Sequence, residues 1–180
     1  MIGRVASLSL SSSYTFSKDT TERVRIVEGL GLEGDVHAGE TVKHRSRVAK
    51  DPTQPNLRQV HLIPAELLDE LVAEGYDVFP GRLGENVLTR DLDLHALPTG
   101  TRLEIGADVV LELTGLRNPC GQLNGVKPGL MKRLTYEDED GNTVRRGGGM
   151  SIVLASGEVS RDDEIRVVLP PEPHRALEKV

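Results

Sequence analysis

Turn-forming residues recur roughly every ten positions through most of this chain, and this spacing constrains its fold more than any other feature. The main breaks fall at Gly81, Gly84, Pro98, Gly100, Gly106, Gly115, Gly121, Gly125 and Gly157. The runs between them are short, apolar and rich in β-branched residues, which favours strands. Short strands in close succession predict a barrel or a sandwich rather than alternating strands and helices. We therefore expect a mainly β fold of the α+β type, with one or two short helices.

Apolar periodicity places the individual elements. The predicted strands cover residues 2–10, 23–28, 151–155 and 165–169, with a hairpin in 102–113 that turns at 106–108. A further hairpin is expected to turn at Asp140 and Gly141. A helix is predicted over residues 64–75, because a proline and early acids begin it and a glycine ends it. Its buried face is expected to carry Leu67, Leu68, Leu71 and Val72.

The remaining segments show no sign of a second domain. A shorter helix is expected over residues 128–134, and the proline-rich residues 170–180 predict an extended tail. No internal repeat or long linker divides the chain, so we expect a single domain over residues 1–180. The sequence does not predict an oligomeric state.

Composition excludes several classes of partner. The formal net charge is −6 and aromatic residues make up 3% of the chain, which argues against nucleic-acid binding. No apolar run approaches the ~18 residues that span a bilayer, so no membrane association is expected. The N-terminal residues lack the continuous apolar core of a signal peptide. Since the one cysteine cannot form an internal disulfide, we expect a cytoplasmic protein.

The single cysteine lies in the segment LRNPCGQLN, between Pro119 and Gly121, where the backbone is expected to bend. A cysteine thiolate is a nucleophile and a metal ligand, and nearby cations such as Arg117 favour its formation. Cys120 is therefore a candidate functional residue. The alternative is an inert thiol.

Three further motifs contain candidate site residues. GLEGDVHAG places His37 among glycines, which permit close approach of the backbone to a ligand. RQVHLI is predicted to be a strand with Arg58, Val60 and Leu62 on one face, and with Gln59, His61 and Ile63 on the other. PGRLGENV contains Glu85 and Asn86, for which a structural role is the simpler interpretation. A solvent-exposed His37 in an ordinary turn is likewise the simpler alternative.

A basic segment interrupts the acidic chain between residues 43 and 58. It contains Lys43, His44, Arg45, Arg47, Lys50 and Arg58 against one acid, Asp51. The segment is either a solvated loop or an anion site. Phosphate-loop, dinucleotide and nucleophile-elbow motifs are absent, and no histidines or cysteine have the close spacing of zinc ligands.

Together and in this order, GLEGDVHAG, RQVHLI, PGRLGENV, LRNPCGQLN and SGEVSRDDEI resemble the MOSC family, named for the C-terminal domain of molybdenum-cofactor sulfurases. The resemblance covers about residues 24–168 and is to the small, stand-alone bacterial type. One departure is Asp162, since the family commonly has glycine before the aspartate of the closing motif. We expect this difference to affect a turn only.

The resemblance implies a β-barrel similar to the barrel domain of pyruvate kinase. It also implies that Cys120 matches the family's conserved cysteine, which carries sulfur or ligates molybdenum in the pterin cofactor (molybdopterin). His37 and His61 are then expected to face the metal or substrate as catalytic residues. The expected cofactor-binding residues are Lys43, Arg45, Arg58, Arg117, Asn118, Glu85 and Asn86. The basic residues among them would meet the cofactor phosphate, and we expect His37, Arg58, His61 and Cys120 to line one cavity.

Two functions follow from the resemblance. The first is an oxidoreductase that acts on small N-hydroxylated or related compounds through a Cys120-ligated molybdenum centre. Such an enzyme would need an external electron-donor reductase, because the chain has no flavin, nicotinamide or iron–sulfur motif. The alternative is a sulfur carrier or cofactor-binding module with a Cys120 persulfide and no turnover. Pyridoxal phosphate is not expected, since the chain has no room for the desulfurase domain that would bind it.

Overall fold

A closed ring of strands forms the body of the protein in a computed structural model that describes residues 1–180. The strands are β1 (Ile2–Leu10), β2 (Asp19–Thr21), β3 (Arg23–Val27), β4 (Gly31–Leu32), β5 (Val60–Pro64), β6 (Val87–Arg90), β7 (Arg102–Ile105), β8 (Val109–Leu116), β9 (Thr135–Glu137), β10 (Thr143–Arg145), β11 (Gly149–Ala155), β12 (Gly157–Ser160) and β13 (Glu164–Val168). The helices are α1 (Arg45–Val48), α2 (Ala65–Ala73) and α3 (Leu130–Leu134), with 3-10 turns at Leu94–Ala96 and Gly121–Gly125. The prediction of a mainly β barrel with short helices is confirmed.

The barrel closes because β1 pairs with β13 at one edge and with β6 at the other. The strand order around the ring is β13-β7-β8-β11-β5-β6-β1, and β2 extends from β1 outside it. Every pair is antiparallel except β5–β6, which α2 connects as a parallel crossover. β3, β4 and β12 form a separate small sheet, and β9 and β10 form a hairpin.

Two apolar clusters fix the position of β5. Val60 and Leu62 pack inside the barrel with alternate residues of the other ring strands. Ile63 instead packs outside the barrel wall, in a cluster with α2 and α3. Because side chains alternate along a strand, His61 also lies on the outer side of β5.

Several element boundaries were predicted well. The hairpin at residues 106–108 is β7–β8, β9 and β10 flank the turn that contains Asp140 and Gly141, and β1 matches residues 2–10. The helix predicted over 64–75 is α2, with Pro64 as its N-cap. Val72 was wrongly assigned to its buried face, since this residue is 55% exposed while Leu67, Leu68 and Leu71 are buried.

The RQVHLI strand begins later than predicted. β5 starts at Val60, and the Arg58 backbone N–H donates to the Asn56 side chain at 3.1 Å. This turn holds Arg58 outside the sheet, so it shares no strand face with Val60 and Leu62. Gln59 also precedes the strand, and its amide joins Gly29 O at 2.7 Å to Val153 N at 2.9 Å.

The closing motif forms a turn, and the residues after β13 return to the barrel. Asp162 has φ of +70°, a left-handed conformation that favours glycine, which explains why glycine suits this turn. The backbone of residues 170–180 hydrogen-bonds to Thr99 and Leu116. The longest helix, α2, has nine residues, and none of the helices has the length and apolar character needed to cross a bilayer.

Candidate functional site

The thiol lies in a loop whose backbone is hydrogen-bonded to the barrel. Cys120 is partly exposed, follows β8, and precedes the 3-10 turn Gly121–Gly125. Its Sγ is 3.6 Å from Gln122 Oε1. The Arg117 backbone N–H donates to Gly148 O at 2.9 Å, which ties the loop to the start of β11. Gly148 has φ of +94°, and a Cβ there would collide with Leu62 O, so the backbone approaches β5 closely here.

Two arginines, each with a buried donor that lacks an acceptor, interact electrostatically with this thiol. Burial lowers the pKa of Arg58 to about 10, aided by the charges of Arg47 and Arg117, while a Cys120 thiolate acts in the opposite direction. Burial likewise lowers the pKa of Arg117, against the charges of Cys120 and Glu85. Arg58 Nε and Arg117 Nη1 are buried and have no hydrogen-bond acceptor. Buried donors without acceptors are costly, so these two groups are suited to an anion.

A buried carboxylate organises the neighbouring loop. Asp35 accepts from Lys18 Nζ at 2.7 Å, Asn86 Nδ2 at 3.0 Å and the Ser11 backbone N–H at 3.3 Å. Its other oxygen accepts from the His37 backbone N–H at 2.9 Å and lies 3.3 Å from His37 Nδ1. Burial by itself would raise the pKa of this carboxyl, but the hydrogen bonds from His37 and the charge of Lys18 hold it well below its usual range.

His37 is at the partly exposed end of this network. Asp35 holds the Nδ1 side of its ring, and the Tyr14 ring packs edge-on with centroids 5.8 Å apart. The Tyr14 hydroxyl donates to Lys43 O at 3.0 Å, which joins the basic segment to the GLEGDVHAG loop. His37 and Arg58 both act electrostatically on His44. His37 is thus fixed in orientation and borders the basic segment.

His61 is more enclosed than the sequence suggested. It is 6% exposed, and its Nε2 is 2.8 Å from Gly147 O, which a neutral ring satisfies by donating from Nε2. Burial, followed by the charge of Arg117, lowers the pKa of His61 well below its usual value. This ring supports the backbone beneath the thiol loop.

Glu85 and Asn86 are interior residues. Glu85 accepts from the Gly81 and Leu83 backbone N–H groups and is fully buried. Burial raises its pKa, although these backbone donors oppose the shift. Asn86 joins Asp35 to β5, since its Oδ1 accepts from His61 N at 3.1 Å. Both residues position the loops and strand that carry the other groups.

The remaining predicted residues are nearer the surface. Arg45 is exposed on α1, while Lys43 is partly buried just before it. Asn118 is exposed in the thiol loop and accepts from Arg145 Nε at 3.3 Å. The shared cavity expected for His37, Arg58, His61 and Cys120 stays a prediction, although electrostatic contacts link Arg58 to Cys120 and Arg117 to His61.

Sequence reasoning missed three participants: Lys18, Asp35 and Arg47. Arg47 stands in the basic segment and acts on both Arg58 and His44. Asp35 precedes His37 by two residues in a glycine-rich motif, a spacing that allows a local side-chain contact. Lys18 lies in SSSYTFSKD, which has no distinguishing pattern.

Comparison with known proteins gives a family match and a distant relative. The model of the MOSC domain matches residues 33–166. A protein of Gibberella moniliformis described as a reductase is 27% identical over 145 residues, or 79% of this chain. The chain spans only 21% of the length of that relative.

Solved structures share the fold. The YUAD protein from Bacillus subtilis is similar with a TM-score of 0.79 and 24% identity, covering 95% of this chain and 98% of that one. YiiM from Escherichia coli has a TM-score of 0.62 and 19% identity, covering 96% and 73%. YiiM from Geobacillus stearothermophilus has a TM-score of 0.66 and 15% identity, covering 98% and 80%.

Proposed function

Because the chain belongs to the MOSC domain family, we propose that it binds a molybdenum-containing pterin cofactor and reduces small N-hydroxylated compounds. In this proposal the Cys120 thiolate is a ligand of the molybdenum. The reductase description of the Gibberella moniliformis relative supports the reaction class. The observation that carries the proposal is a partly exposed thiol near two arginines that each have a buried donor without an acceptor.

The residues present fit such a cofactor. A thiolate suits a soft metal centre that already has sulfur ligands. Arg58 Nε and Arg117 Nη1 offer charge-assisted donors that match a phosphate. Lys43 and Arg45 add positive charge at the outer edge of the basic segment. When bound, the cofactor supplies two-electron redox chemistry at the metal.

In this proposal His37 transfers a proton to the substrate. Reduction of an N-hydroxylated compound breaks the N–O bond and consumes two electrons and two protons, releasing water and the amine. The electrons come from a partner reductase. Asp35 fixes Nδ1 of His37, so Nε2 is the atom assigned to exchange a proton with the substrate. Asp35 and Lys18 act as positioning residues, because they orient His37 from the buried side.

Metal retention tests the proposal directly. Protein purified from a host that makes the cofactor should contain molybdenum and pterin, and Cys120→Ser should lose most of the metal. The variant should fold normally, since the thiol is partly exposed and contributes little packing. A wild-type protein that lacks molybdenum and instead carries one extra sulfur on Cys120 by mass spectrometry would refute the proposal in favour of a sulfur carrier.

The arginines give a second readout that is independent of activity. Arg117→Met should lower molybdenum occupancy, yet change the free energy of unfolding of the cofactor-free protein by at most about 1 kcal/mol, because relief of a buried donor without an acceptor offsets the lost attraction to Glu85. Urea denaturation measures this change. Arg161→Gln, at an exposed arginine, is the control and should change neither quantity. A large loss of stability in Arg117→Met would instead assign Arg117 to the structure alone.

A further inference from the structure

A cleft of about 480 Å³ opens beside the thiol loop. Residues 15–17, Arg82, Gln122, Gly125 and Val126 line it. Two of these residues connect it to the site already described. Gln122 Oε1 is 3.6 Å from Cys120 Sγ, and the Arg117 guanidinium is 5.9 Å from the centroid of the Phe16 ring. The cleft therefore adjoins the thiol, and its volume suits a small organic ligand.

Arg82 gives this cleft an uncompensated positive charge. It is the one charged residue of the lining, and no acid faces it there. Arg82 Nε is buried without a hydrogen-bond acceptor, and Nη1 makes only a long contact of 3.4 Å to Ser17 Oγ. The guanidinium lies 5.5 Å from the centroid of the Phe79 ring, which limits its freedom. A fixed guanidinium without an acidic partner favours a carboxylate.

A second cavity on the protein has the opposite character. It measures about 320 Å³ and its polar lining includes Glu66, Glu70, Asp93, His95 and Arg146. Arg146 is already paired with Glu70 at 2.8 Å, so its charge is neutralised. Since this cavity has an excess of acids, it disfavours anions. Uncompensated positive charge, apolar walls and a direct contact to the thiol loop occur together in the cleft beside Cys120.

We propose that the cleft binds the organic part of the substrate and selects small, partly apolar molecules that bear a carboxylate. Phe16 and Val126 contact the apolar body, and Arg82 binds the carboxylate at the end of the molecule away from the reacting nitrogen. Gln122, between the cleft and Sγ, contacts the reacting end. The inference rests on the proposed function, because it names the substrate class of that same site.

Gly125 offers a way to fill the cleft without disturbing the fold. A Cβ at this residue would meet no atom within 4 Å, and its φ lies outside the left-handed region. The backbone therefore accepts a side chain at this position, which lines the cleft. Gly125→Ala and Gly125→Val form a graded series in which only the added volume changes.

Calorimetry on the purified chain tests the proposal without requiring the cofactor. The probes are 4-aminobenzoate and aniline, which differ by one carboxylate and correspond to products of N-hydroxyl reduction. We expect 4-aminobenzoate to bind about tenfold more tightly or better, and Arg82→Gln to remove that difference. Gly125→Val should weaken both probes, with Gly125→Ala in between. Arg161→Gln removes an exposed arginine elsewhere and should leave both affinities unchanged.

Two results would overturn the inference: equal binding of both probes to the wild-type chain, or full preference for 4-aminobenzoate in Arg82→Gln. Thermal unfolding of each variant checks that it is folded, and Arg82→Lys, which keeps the charge, should retain part of the preference. Metal content separates the two proposals. Molybdenum retention without probe binding contradicts only the assignment of the cleft, while carboxylate-selective binding without molybdenum contradicts only the cofactor.

Discussion

The Lys18–Asp35 ion pair is almost completely removed from solvent, with both side chains 3% exposed. In such a pair each charge compensates the other, and either charge left alone in the interior would destabilise the fold. Exposed pairs are different. The Arg23–Glu158 pair is 69% and 57% exposed and should contribute little, since water already solvates both ions.

We predict that Asp35→Asn lowers the free energy of unfolding by about 3–5 kcal/mol, because Lys18 stays buried without its counter-charge. Urea denaturation measures the loss. The double variant Lys18→Met/Asp35→Asn should recover much of it, and Glu158→Gln should change stability by at most about 1 kcal/mol. If Asp35→Asn alone is no worse than Glu158→Gln, the pair does not stabilise the loop as we infer.

The residues of this network also show which contacts could not be predicted from the sequence. Cys120 and Arg117 could be selected because they are three residues apart in a loop with proline and glycine. Lys18 and Asp35 meet only through the fold, from two loops whose sequences carry no periodic signal. His61 was predicted to lie in a strand and does lie in β5, but its bond to Gly147 depends on how β11 approaches β5.

The burial of strand β5 determines the pKa of the histidine that it carries. All five of its residues are buried, and it pairs with β6 and β11 on its two sides. His61 on this strand has a pKa held well below its usual value by burial and by the charge of Arg117. The folded protein thus binds fewer protons at this residue than the unfolded chain does, so stability increases with pH between the two pKa values.

We predict that the free energy of unfolding falls as the pH is lowered from about 7 to 5, because the unfolded chain takes up protons on His61 below its ordinary pKa of about 6.5. The limiting slope is about 1.4 kcal/mol per pH unit for each such histidine. His61→Gln keeps a donor for Gly147 O and should flatten this dependence. His174→Gln, at an exposed histidine in the tail, is the control. An unchanged slope in His61→Gln would show that the ring is not held neutral.

Elements with a clear local sequence pattern were predictable, whereas the other elements form only in the context of the closed ring of strands. The β7–β8 hairpin follows from its turn, and α2 from its apolar face and its terminal residues. β6 is only four residues long, and its place beside β5 requires the parallel crossover through α2. α1 has four residues and buries none, so no apolar periodicity could indicate it.

At the scale of the whole molecule, the proposed reaction requires electrons from outside. The sequence has no dinucleotide-binding motif, and the barrel has no parallel βαβαβ sheet of the kind that binds nicotinamide cofactors. We therefore propose that a partner protein delivers electrons to the cofactor.

We predict that the isolated, cofactor-loaded protein does not oxidise NADH or NADPH in the presence of substrate. Turnover of an N-hydroxylated compound should appear when a flavoprotein or ferredoxin-type reductase is added, or when a reduced viologen dye replaces it. Absorbance of the nicotinamide, followed with and without the added reductase, checks this. Sustained NADH oxidation by the chain alone, dependent on substrate, would contradict it.

Closure of the barrel has a consequence for how the chain is made. Gly3 in β1 pairs with Ile165 in β13, so the ring cannot close until residues 164–168 have left the ribosome. β6 and β2 can pair with β1 earlier, but residues 2–4 lack their partners on the β13 side until residues 164–168 emerge. Nascent or truncated chains that stop short of β13 therefore expose an unpaired, aggregation-prone strand edge. Such chains depend on chaperones more than the closed barrel does.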